Sequence, residues 1–361
     1  MSDLKEIVSK FIVGNQNINI EPLGKGHIND SYRVEVSGNE YVLQKINHHI
    51  FKNVQELQNN IYRVTEHIRK KLEEKGVEDI DRRVLTLVRT DEGDLFYKDV
   101  DGEYWRMTLY IPNSKSYDEI NPTLSYRAGA AFGDFQKMLA DIPGEPLFET
   151  IPNFHNMEAR LATFREAVKA NESGRLSEVM DLVEEVEKRA EEMCKAEVLH
   201  REGKLPKRIN HCDTKVNNVL FDENDDVLCV VDLDTVMPGY VLSDFGDFIR
   251  TGANNGAEDD KNLDNVSLNI DIYRSYTEGY LEKAMSFLTD VEIDNLAFGA
   301  KLLTYMQMVR FFTDYIDGDK YYKIAYPEHN LVRTRAQFKL LQSMEENFEE
   351  MERIVKEAAN K

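Results

Sequence analysis

Hydrophobic and polar positions follow two different periods along the chain, and the change comes after about the first third. Between Ser31 and Val36 the apolar residues alternate with polar ones, which is the pattern of a half-buried strand. A second strand is predicted from Tyr41 to Ile46, after a turn at Ser37-Gly38-Asn39. These two segments are therefore predicted to form an antiparallel hairpin.

A helix is predicted next, from Asn53 to Lys75, because this segment is polar on one side and lacks Gly and Pro until Gly76. A further strand is predicted from Val84 to Val88. Leu95 to Ile111 is predicted to be a hairpin around Asp101-Gly102, a favoured two-residue turn. The first third of the chain is thus predicted to be an antiparallel sheet with one inserted helix.

Helical spacing dominates after Pro112. Helices are predicted over Leu124 to Leu139, over Met157 to Ala170, from about Ile270 onward, and as one closing helix over Leu331 to Lys361. One hairpin, Val219 to Phe221 with Val227 to Val231, interrupts them. The prediction is an α+β, bilobal fold: a small antiparallel β-sheet lobe with one helix in residues 1–111, and a larger, mainly helical lobe in residues 112–361.

The charge excludes several classes of partner. The 361 residues contain 45 Lys and Arg against 66 Asp and Glu, a formal net charge of −21, and no Lys/Arg-rich run is visible. Such a chain is repelled by nucleic-acid phosphates and by anionic lipids, so we expect no nucleic-acid or membrane partner. The first ten residues lack the apolar run of a secretory signal, and the three cysteines have no metal spacing. We expect a cytoplasmic monomer.

One segment carries a pattern of polar residues that is typical of phosphoryl transfer. It reads H-x-D-x-K-x-x-N from His211 to Asn218, and Asp232 follows after the Val219 hairpin. In such a loop Asp213 accepts the proton of an acceptor hydroxyl, and Lys215 neutralises charge on the transferring phosphoryl group. Asn218 and Asp232 supply oxygen ligands for Mg²⁺. His211 is expected to brace the loop.

Three more acids follow the same segment. Asp234 is either a second metal ligand or a turn residue. Asp244-Phe245-Gly246-Asp247 spells the D-F-G of protein kinases, but it lies 26 residues beyond Asn218, too far to be the metal acid of the hairpin. Asp244 and Asp247 are instead expected to accept backbone N–H bonds and to hold the catalytic loop.

The nucleotide side is predicted from the first strands. Gly24 and Gly26 belong to a G-x-G-x-x-N loop that runs into a strand, as a flap over phosphates does, whereas a dinucleotide-binding fingerprint opens a helix. Taken alone, this loop could equally be an ordinary hairpin turn. Lys45 lies on the next strand and is predicted to reach the α and β phosphates of ATP. Leu109 and Ile111, at the end of the sheet lobe, are assigned to the ATP site.

Two features of this side depart from the usual kinase pattern. Asn29 stands where many kinases have a third glycine, so a side chain replaces bare backbone there. The helix acid that should pair with Lys45 is not identified, and Glu56 and Glu66 are the candidates.

The segments 211–218, 231–239 and 244–247 together resemble the superfamily of aminoglycoside phosphotransferases and choline kinases. The resemblance implies a protein-kinase-like fold, ATP and Mg²⁺ as cofactors, and Asp213 as the base.

Within this superfamily the chain most resembles the N-acetylhexosamine 1-kinases. Three later stretches extend this similarity nearly to the C-terminus, at residues 310–322, 327–331 and 335–339. It implies phosphorylation of the anomeric hydroxyl of N-acetylglucosamine or N-acetylgalactosamine, with His27, Arg310 and Tyr321 helping to hold the sugar.

Other functions remain open at this point. The acceptor could be another small hydroxyl compound, such as choline, homoserine, an aminoglycoside or a different sugar. A metal-dependent hydrolase with His211, Asp213, Asp232 and Asp234 as ligands leaves the glycine loop and the two lysines unexplained. A silent binding module is disfavoured because the set of Lys45, Asp213, Asn218 and Asp232 is complete.

Overall fold

The computed structural model describes residues 3–14, 17–24 and 28–361. The chain divides into two compact units. The first unit comprises Met1–Ser116, Met138–Pro152 and Asn218–Met237, and the second comprises Tyr117–Lys137, Asn153–Asn217 and Pro238–Lys361. The sequence analysis predicted a boundary after residue 111, and the first unit ends its first segment nearby, at Ser116. The later segments Met138–Pro152 and Asn218–Met237 also belong to the first unit.

Strands and helices are numbered here in chain order. The strands are β1 Ile18–Pro22, β2 Asp30–Val36, β3 Asn39–Ile46, β4 Leu87–Val88, β5 Tyr97–Lys98, β6 Tyr104–Leu109, β7 Arg208–Asn210, β8 Val219–Phe221, β9 Val227–Val230 and β10 Met237–Gly239. The helices are α1 Leu4–Ser9, α2 Val54–Glu74, α3 Pro122–Leu139, α4 Met157–Ala170, α5 Met180–Met193, α6 Lys195–Arg201, α7 Val241–Gly252, α8 Ile270–Ala284, α9 Asp290–Asp294, α10 Leu296–Asp317, α11 His329–Glu346 and α12 Phe348–Ala359.

The first unit is built on an antiparallel sheet in the order β1-β2-β3-β6-β4, with β5 also paired to β6. Side chains of neighbouring residues on β3 point to opposite faces of this sheet. Leu43 pairs with Met107, and both are buried in an apolar cluster with Ile7 and Val8 of α1. The residues next along the strands therefore face the other way. The sequence analysis did not predict α1.

Both predicted hairpins of the sheet lobe and the long helix are confirmed. The two-residue turn at Asp101-Gly102 is wrong, because the N–H of Asp99 donates to the oxygen of Glu103 at 2.9 Å and leaves three residues, 100–102, in the turn. The side chain of Asn53 accepts a hydrogen bond from the backbone N–H of Glu56 and so begins α2. Gly76, with a φ of +66°, follows its end. The strand predicted from Val84 is shorter and covers only β4.

The hairpin β8-β9 belongs to the first unit, although the sequence analysis assigned it to the helical lobe. Leu228 and Cys229 of β9 pack against Ile111, which explains this membership. Arg83 also donates a hydrogen bond from Nη1 to the backbone oxygen of Val227, at 2.7 Å. The hairpin is thus attached to the chain that follows α2.

The second unit is helical, and α10 is its centre. Almost every residue of α10 is buried. It packs against α7, where Gly246 and the backbone of Gly299 come so close that a Cβ atom on Gly246 would lie 2.1 Å from the oxygen of Gly299. On its other side α7 carries Phe248, whose ring stacks on that of Tyr276 at 3.8 Å. The closing helix predicted from Leu331 is wrong as one helix, because the chain breaks at Asn347 into α11 and α12.

Within the described ranges, no helix has both the length and the apolar composition that crossing a membrane requires.

Candidate active site

The catalytic-loop segment of the second unit follows β7, and the buried carboxylate of Asp244 holds its backbone. Oδ2 of Asp244 accepts the N–H of His211 at 2.8 Å, and Oδ1 accepts the N–H of Cys212 at 2.7 Å. Nε2 of Gln136 donates a third bond at 2.8 Å. Burial raises the pKa of Asp244, while His211 and these N–H groups oppose the rise. These are the backbone contacts that the sequence predicted for this residue.

A second anchor is Asp247, one turn later on α7. Its Oδ2 accepts the N–H of Thr214 at 3.1 Å, and its Oδ1 accepts Nη2 of Arg250 at 2.9 Å. Burial raises the pKa of Asp247, but the charges of Arg250 and Lys215 outweigh burial and keep the pKa below its usual value. Asp247 is therefore an ionised anchor at neutral pH.

Asp213 and Lys215 project from this fixed loop and form an ion pair, with 2.9 Å between Nζ of Lys215 and Oδ1 of Asp213. Burial lowers the pKa of the Lys215 ammonium, but Asp213 and Asp247 outweigh it and hold the pKa above its usual value. The pair thus combines a carboxylate with a fixed positive charge. A carboxylate can orient and deprotonate a hydroxyl, and the cation can bind phosphoryl oxygens.

His211 lies inside the unit rather than at its surface. Its ring contacts Phe132 and Phe135 edge to face, at 5.7 Å and 5.9 Å between centroids. Nδ1 of His211 accepts the N–H of Asp213 at 3.2 Å. These contacts agree with the predicted bracing of the loop, and they occupy the nitrogen nearest to Asp213.

The acceptor residues implied by the resemblance lie in different environments. The guanidinium of Arg310 stacks over the ring of Phe154 at 5.0 Å and over that of Tyr322 at 5.7 Å. Tyr321 is 60% exposed, and its ring contacts that of Tyr322 edge to face. His27 and Gly26, which were also predicted site residues, lie outside the described residues.

Sequence reasoning missed a second arginine beside Arg310. Arg160 stands over the same Phe154 ring at 6.0 Å and donates from Nη2 to the backbone oxygen of Phe154 at 2.8 Å. Burial and the charge of Arg310 lower the pKa of Arg160 to about 10. In the described part of the chain neither arginine forms an ion pair with a carboxylate. Arg160 and Arg310 are 150 positions apart, and nothing in the sequence indicates that both lie over the Phe154 ring.

In the first unit, the glycine-loop region begins at Gly24, which has a φ of +66° that favours glycine. At the far end of the loop, Asn29 is buried and bonded to protein groups. Its Oδ1 accepts the N–H of Asn47 at 2.9 Å, and its Nδ2 donates to Oδ2 of Asp234 at 2.5 Å. The side chain that replaces the third glycine is thus a structural bridge.

Lys45 lies on the same face of the sheet as Trp105, its partner on β6. Its Nζ is 3.2 Å from Oε1 of Glu103, which precedes β6. The two helix acids, Glu56 and Glu66, are therefore not its partner, and the expectation of a helix acid is wrong. The strand alternation explains this, because α1 covers the face to which Lys45 belongs.

The predicted metal ligands lie at the two ends of the β8-β9 hairpin. The backbone oxygen of Asn218 accepts the N–H of Val231 at 2.9 Å, which connects the start of the hairpin to the residue before Asp232. Asp232 has a φ of +59°, a left-handed conformation that is costly for a residue other than glycine. An amide oxygen and a carboxylate are the hard oxygen donors that suit Mg²⁺.

Asp234 lies in a turn over residues 233–235, as one of its two predicted roles required, and its carboxylate is bound there by protein groups. Both of its carboxylate oxygens accept hydrogen bonds from Arg106, with 3.0 Å between Nη2 and Oδ2, and one also accepts from Asn29. The pair is buried, with about 5% of the Arg106 side chain exposed. Asp234 is thus the anion of an internal ion pair. Of the predicted ATP residues, Leu109 is the last residue of β6 and is half-buried, and Ile111 follows the strand and is buried against Leu228.

Comparison with known proteins agrees with this arrangement. Residues 19–278 match the phosphotransferase enzyme family. Among solved structures, a microcompartment-associated aminopropanol kinase has a TM-score of 0.59 and 14% identity over 96% of this chain and 97% of its own. An aminoglycoside phosphotransferase from Alicyclobacillus acidocaldarius has a TM-score of 0.58 and 12% identity over 96% of each chain. An ethanolamine kinase from Plasmodium vivax has a TM-score of 0.55 and 12% identity over 89% and 82%.

At these identities the solved structures establish the fold alone, and they confirm the predicted kinase-like architecture of an antiparallel sheet lobe and a helical lobe. The family match covers well over half of the chain and includes the loop with Asp213 and the hairpin with Asp232. The chain belongs to the phosphotransferase enzyme family.

Proposed function

We propose that this protein transfers the terminal phosphoryl group of ATP to the anomeric hydroxyl of an N-acetylhexosamine, giving the sugar 1-phosphate and ADP. The observation that carries the proposal is the Asp213–Lys215 ion pair on a loop held by two buried aspartates of α7. Phosphoryl transfer requires positioning and countercharge more than covalent chemistry, and this pair supplies both.

In this mechanism Asp213 accepts a hydrogen bond from the attacking hydroxyl and takes its proton. Lys215 bonds the phosphoryl oxygens as negative charge develops on them, and its raised pKa keeps it charged at neutral pH. Asn218 and Asp232 would hold Mg²⁺ through an amide oxygen and a carboxylate. When bound, the metal neutralises charge on the nucleotide phosphates.

The charges around Phe154 favour a sugar over an amine as the acceptor. Arg160 and Arg310 both stand over this ring and have no carboxylate partner among the described residues. A cationic acceptor such as choline, ethanolamine or an aminoglycoside would meet two like charges there. A neutral sugar can instead accept hydrogen bonds from both guanidinium groups through its hydroxyl and acetamide oxygens.

The aminopropanol and ethanolamine kinases among the similar structures make a small amino alcohol the competing acceptor. A panel of acceptors separates the two classes: N-acetylglucosamine, N-acetylgalactosamine, glucose, galactose, choline, ethanolamine, aminopropanol, homoserine and an aminoglycoside. ADP release is measured for each, and phosphorus NMR identifies the position of the new phosphate. A higher kcat/KM for any amine than for both N-acetylhexosamines would contradict the sugar assignment.

The role of Asp213 is tested separately with the best acceptor of the panel. Asp213→Asn should lower kcat by about a hundredfold or more while ADP affinity changes little, because the amide cannot accept the proton. Asp118→Asn, a change at an exposed position, is the matched control. A near-normal kcat for Asp213→Asn would remove this residue from the role of base.

A further inference from the structure

Among the described residues, the face of the sheet opposite α1 carries one buried cation, Arg106, and it is not the lysine predicted from the sequence. Gln44 and Arg106 are paired across β3 and β6. Nε of Arg106 donates to Oε1 of Gln44 at 2.9 Å, and Nε2 of Gln44 donates to Oγ of Ser31 at 3.0 Å. Lys45, one residue along β3, faces the other way. Arg33 of β2 shares this face but is exposed and paired with Glu40, so the buried positive charge beside Asp234 comes from β6.

Arg106 binds the turn that contains Asp232, the predicted metal ligand. The forked guanidinium of Arg106 binds both oxygens of Asp234, two residues after Asp232. The side chain of Asn29 adds a bond to the same carboxylate. With the fork on one side and the amide on the other, the carboxylate has a single orientation.

The chain on either side of Asp234 is also held. Nδ2 of Asn60, on α2, donates to the backbone oxygen of Val236 at 3.1 Å. The N–H of Val231 donates to the backbone oxygen of Asn218 at 2.9 Å. Asp232 lies between these bonds in a left-handed conformation, which persists only where the surroundings enforce it.

We propose that Arg106 is a positioning residue for the metal acid. By fixing Asp234 it holds the strained backbone of Asp232 so that this carboxylate can serve Mg²⁺, while Lys45 has no part in nucleotide binding. The inference rests on the proposed function, because it assumes that a magnesium nucleotide binds to this unit. It assigns the stabilising cation to β6 and makes Asp234 its counter-ion.

The alternative is that Asp234 is itself a magnesium ligand, and the two ideas predict opposite effects for one substitution. In Arg106→Lys a single ammonium replaces the fork, so Asp234 is held less firmly and the Asp232 turn loosens. Our inference then predicts a weaker response to Mg²⁺. If Asp234 were a ligand, its release from the fork would strengthen that response.

The experiment measures ADP binding by calorimetry over a series of Mg²⁺ concentrations, with the melting temperature of each free protein recorded beside it. Arg106→Lys and the double variant Arg106→Gln/Asp234→Asn are compared with the wild type. The double variant leaves no buried charge unpaired and is expected to fold. In both, we expect the half-saturating Mg²⁺ concentration to rise about tenfold, as is usual when a residue supporting a ligand is lost.

Lys98→Gln is the matched control, because it removes the same charge at an exposed position of β5. It should stay within about twofold of the wild type in ADP affinity and in Mg²⁺ dependence. Lys45→Gln is a separate test of the lysine predicted from the sequence, and our inference expects its ADP affinity to be retained. An unchanged or lower half-saturating Mg²⁺ concentration in a folded Arg106→Lys would overturn the inference. So would a large loss of ADP affinity in Lys45→Gln. Failure of the wild type to bind ADP at any Mg²⁺ concentration would instead overturn the proposed function itself.

Discussion

Glu197 is a buried carboxyl whose ionisation should make the stability of the protein depend on pH. Burial raises its pKa to about 7, and the backbone N–H groups of Glu197 itself and of Met157, the latter 2.7 Å from Oε1, only partly oppose this. From its unfolded pKa up to about pH 7 the folded state retains a proton that the unfolded chain has released. Stability is therefore predicted to fall as pH rises through this window.

The variant Glu197→Gln should remove this dependence, because an amide stays neutral. Relative to the wild type we expect it to gain on the order of 2 kcal/mol in free energy of unfolding between pH 5 and pH 8. Denaturant unfolding at both values measures the change, and Glu202→Gln, at an exposed position, is the control. Parallel pH profiles for wild type and Glu197→Gln would contradict the prediction.

The candidate residues from His211 to Asn218 could be proposed from the sequence because their order along one short segment is typical of phosphoryl transfer. The contact partners of Lys45 and Asp234 could not be predicted, since each partner lies in another segment of the chain. Lys45 and Gln44 are neighbours on β3 but lie on opposite faces of the sheet. Which of the two faces α1 covers depends on how β3 pairs with β6 and on where α1 packs. Asp234 is neutralised by Arg106, 128 residues earlier in the chain.

At the scale of elements, the contact between α7 and α10 connects packing to the catalytic loop. Gly246 lies against the backbone of Gly299, and the same helix carries Asp244 and Asp247. Gly246→Ala should force the helices apart, costing about 1–3 kcal/mol of stability and displacing both loop anchors. Thermal unfolding and kcat measured together test this, and both are expected to fall.

Gly76→Ala is the comparison, because Gly76 has a left-handed φ and open space around it. It should cost about 1 kcal/mol through backbone strain and leave kcat unchanged. Equal effects of the two variants on kcat would contradict the proposed coupling. The glycine of the D-F-G sequence is thus required by the close packing of α7 against α10. This packing could not be predicted from the sequence, because α10 begins 50 residues after Gly246.

Elements with strong local signals could be predicted well, as α2 with its asparagine cap and following glycine illustrates. Short elements were missed or misjudged because tertiary contacts create them. Helix α1 has only six residues, and its buried Ile7 and Val8 pack against strands that follow it. The break at Asn347 separates two helices that the sequence analysis predicted as one.

At the scale of the whole molecule, the net charge of −21 opposes the cations that the site needs. A nucleotide approaching from a distance meets the field of the entire chain, whereas one close to the site meets Lys215 and its neighbours. The long-range repulsion and the local attraction respond differently to salt, because the Debye length falls from about 30 Å at 0.01 M to about 8 Å at 0.15 M. Screening therefore removes the long-range repulsion first.

We accordingly expect the association rate constant of MgADP to rise severalfold between about 0.01 M and 0.15 M salt, an unusual direction for an anionic ligand binding beside cations. Stopped-flow measurements with MgADP and with uncharged adenosine test this, and the rate for adenosine should not change. A falling rate for MgADP would mean that the local cations dominate even at long range. The surplus of acids would then have to be concentrated on surfaces far from the nucleotide path, rather than acting as one field around the molecule.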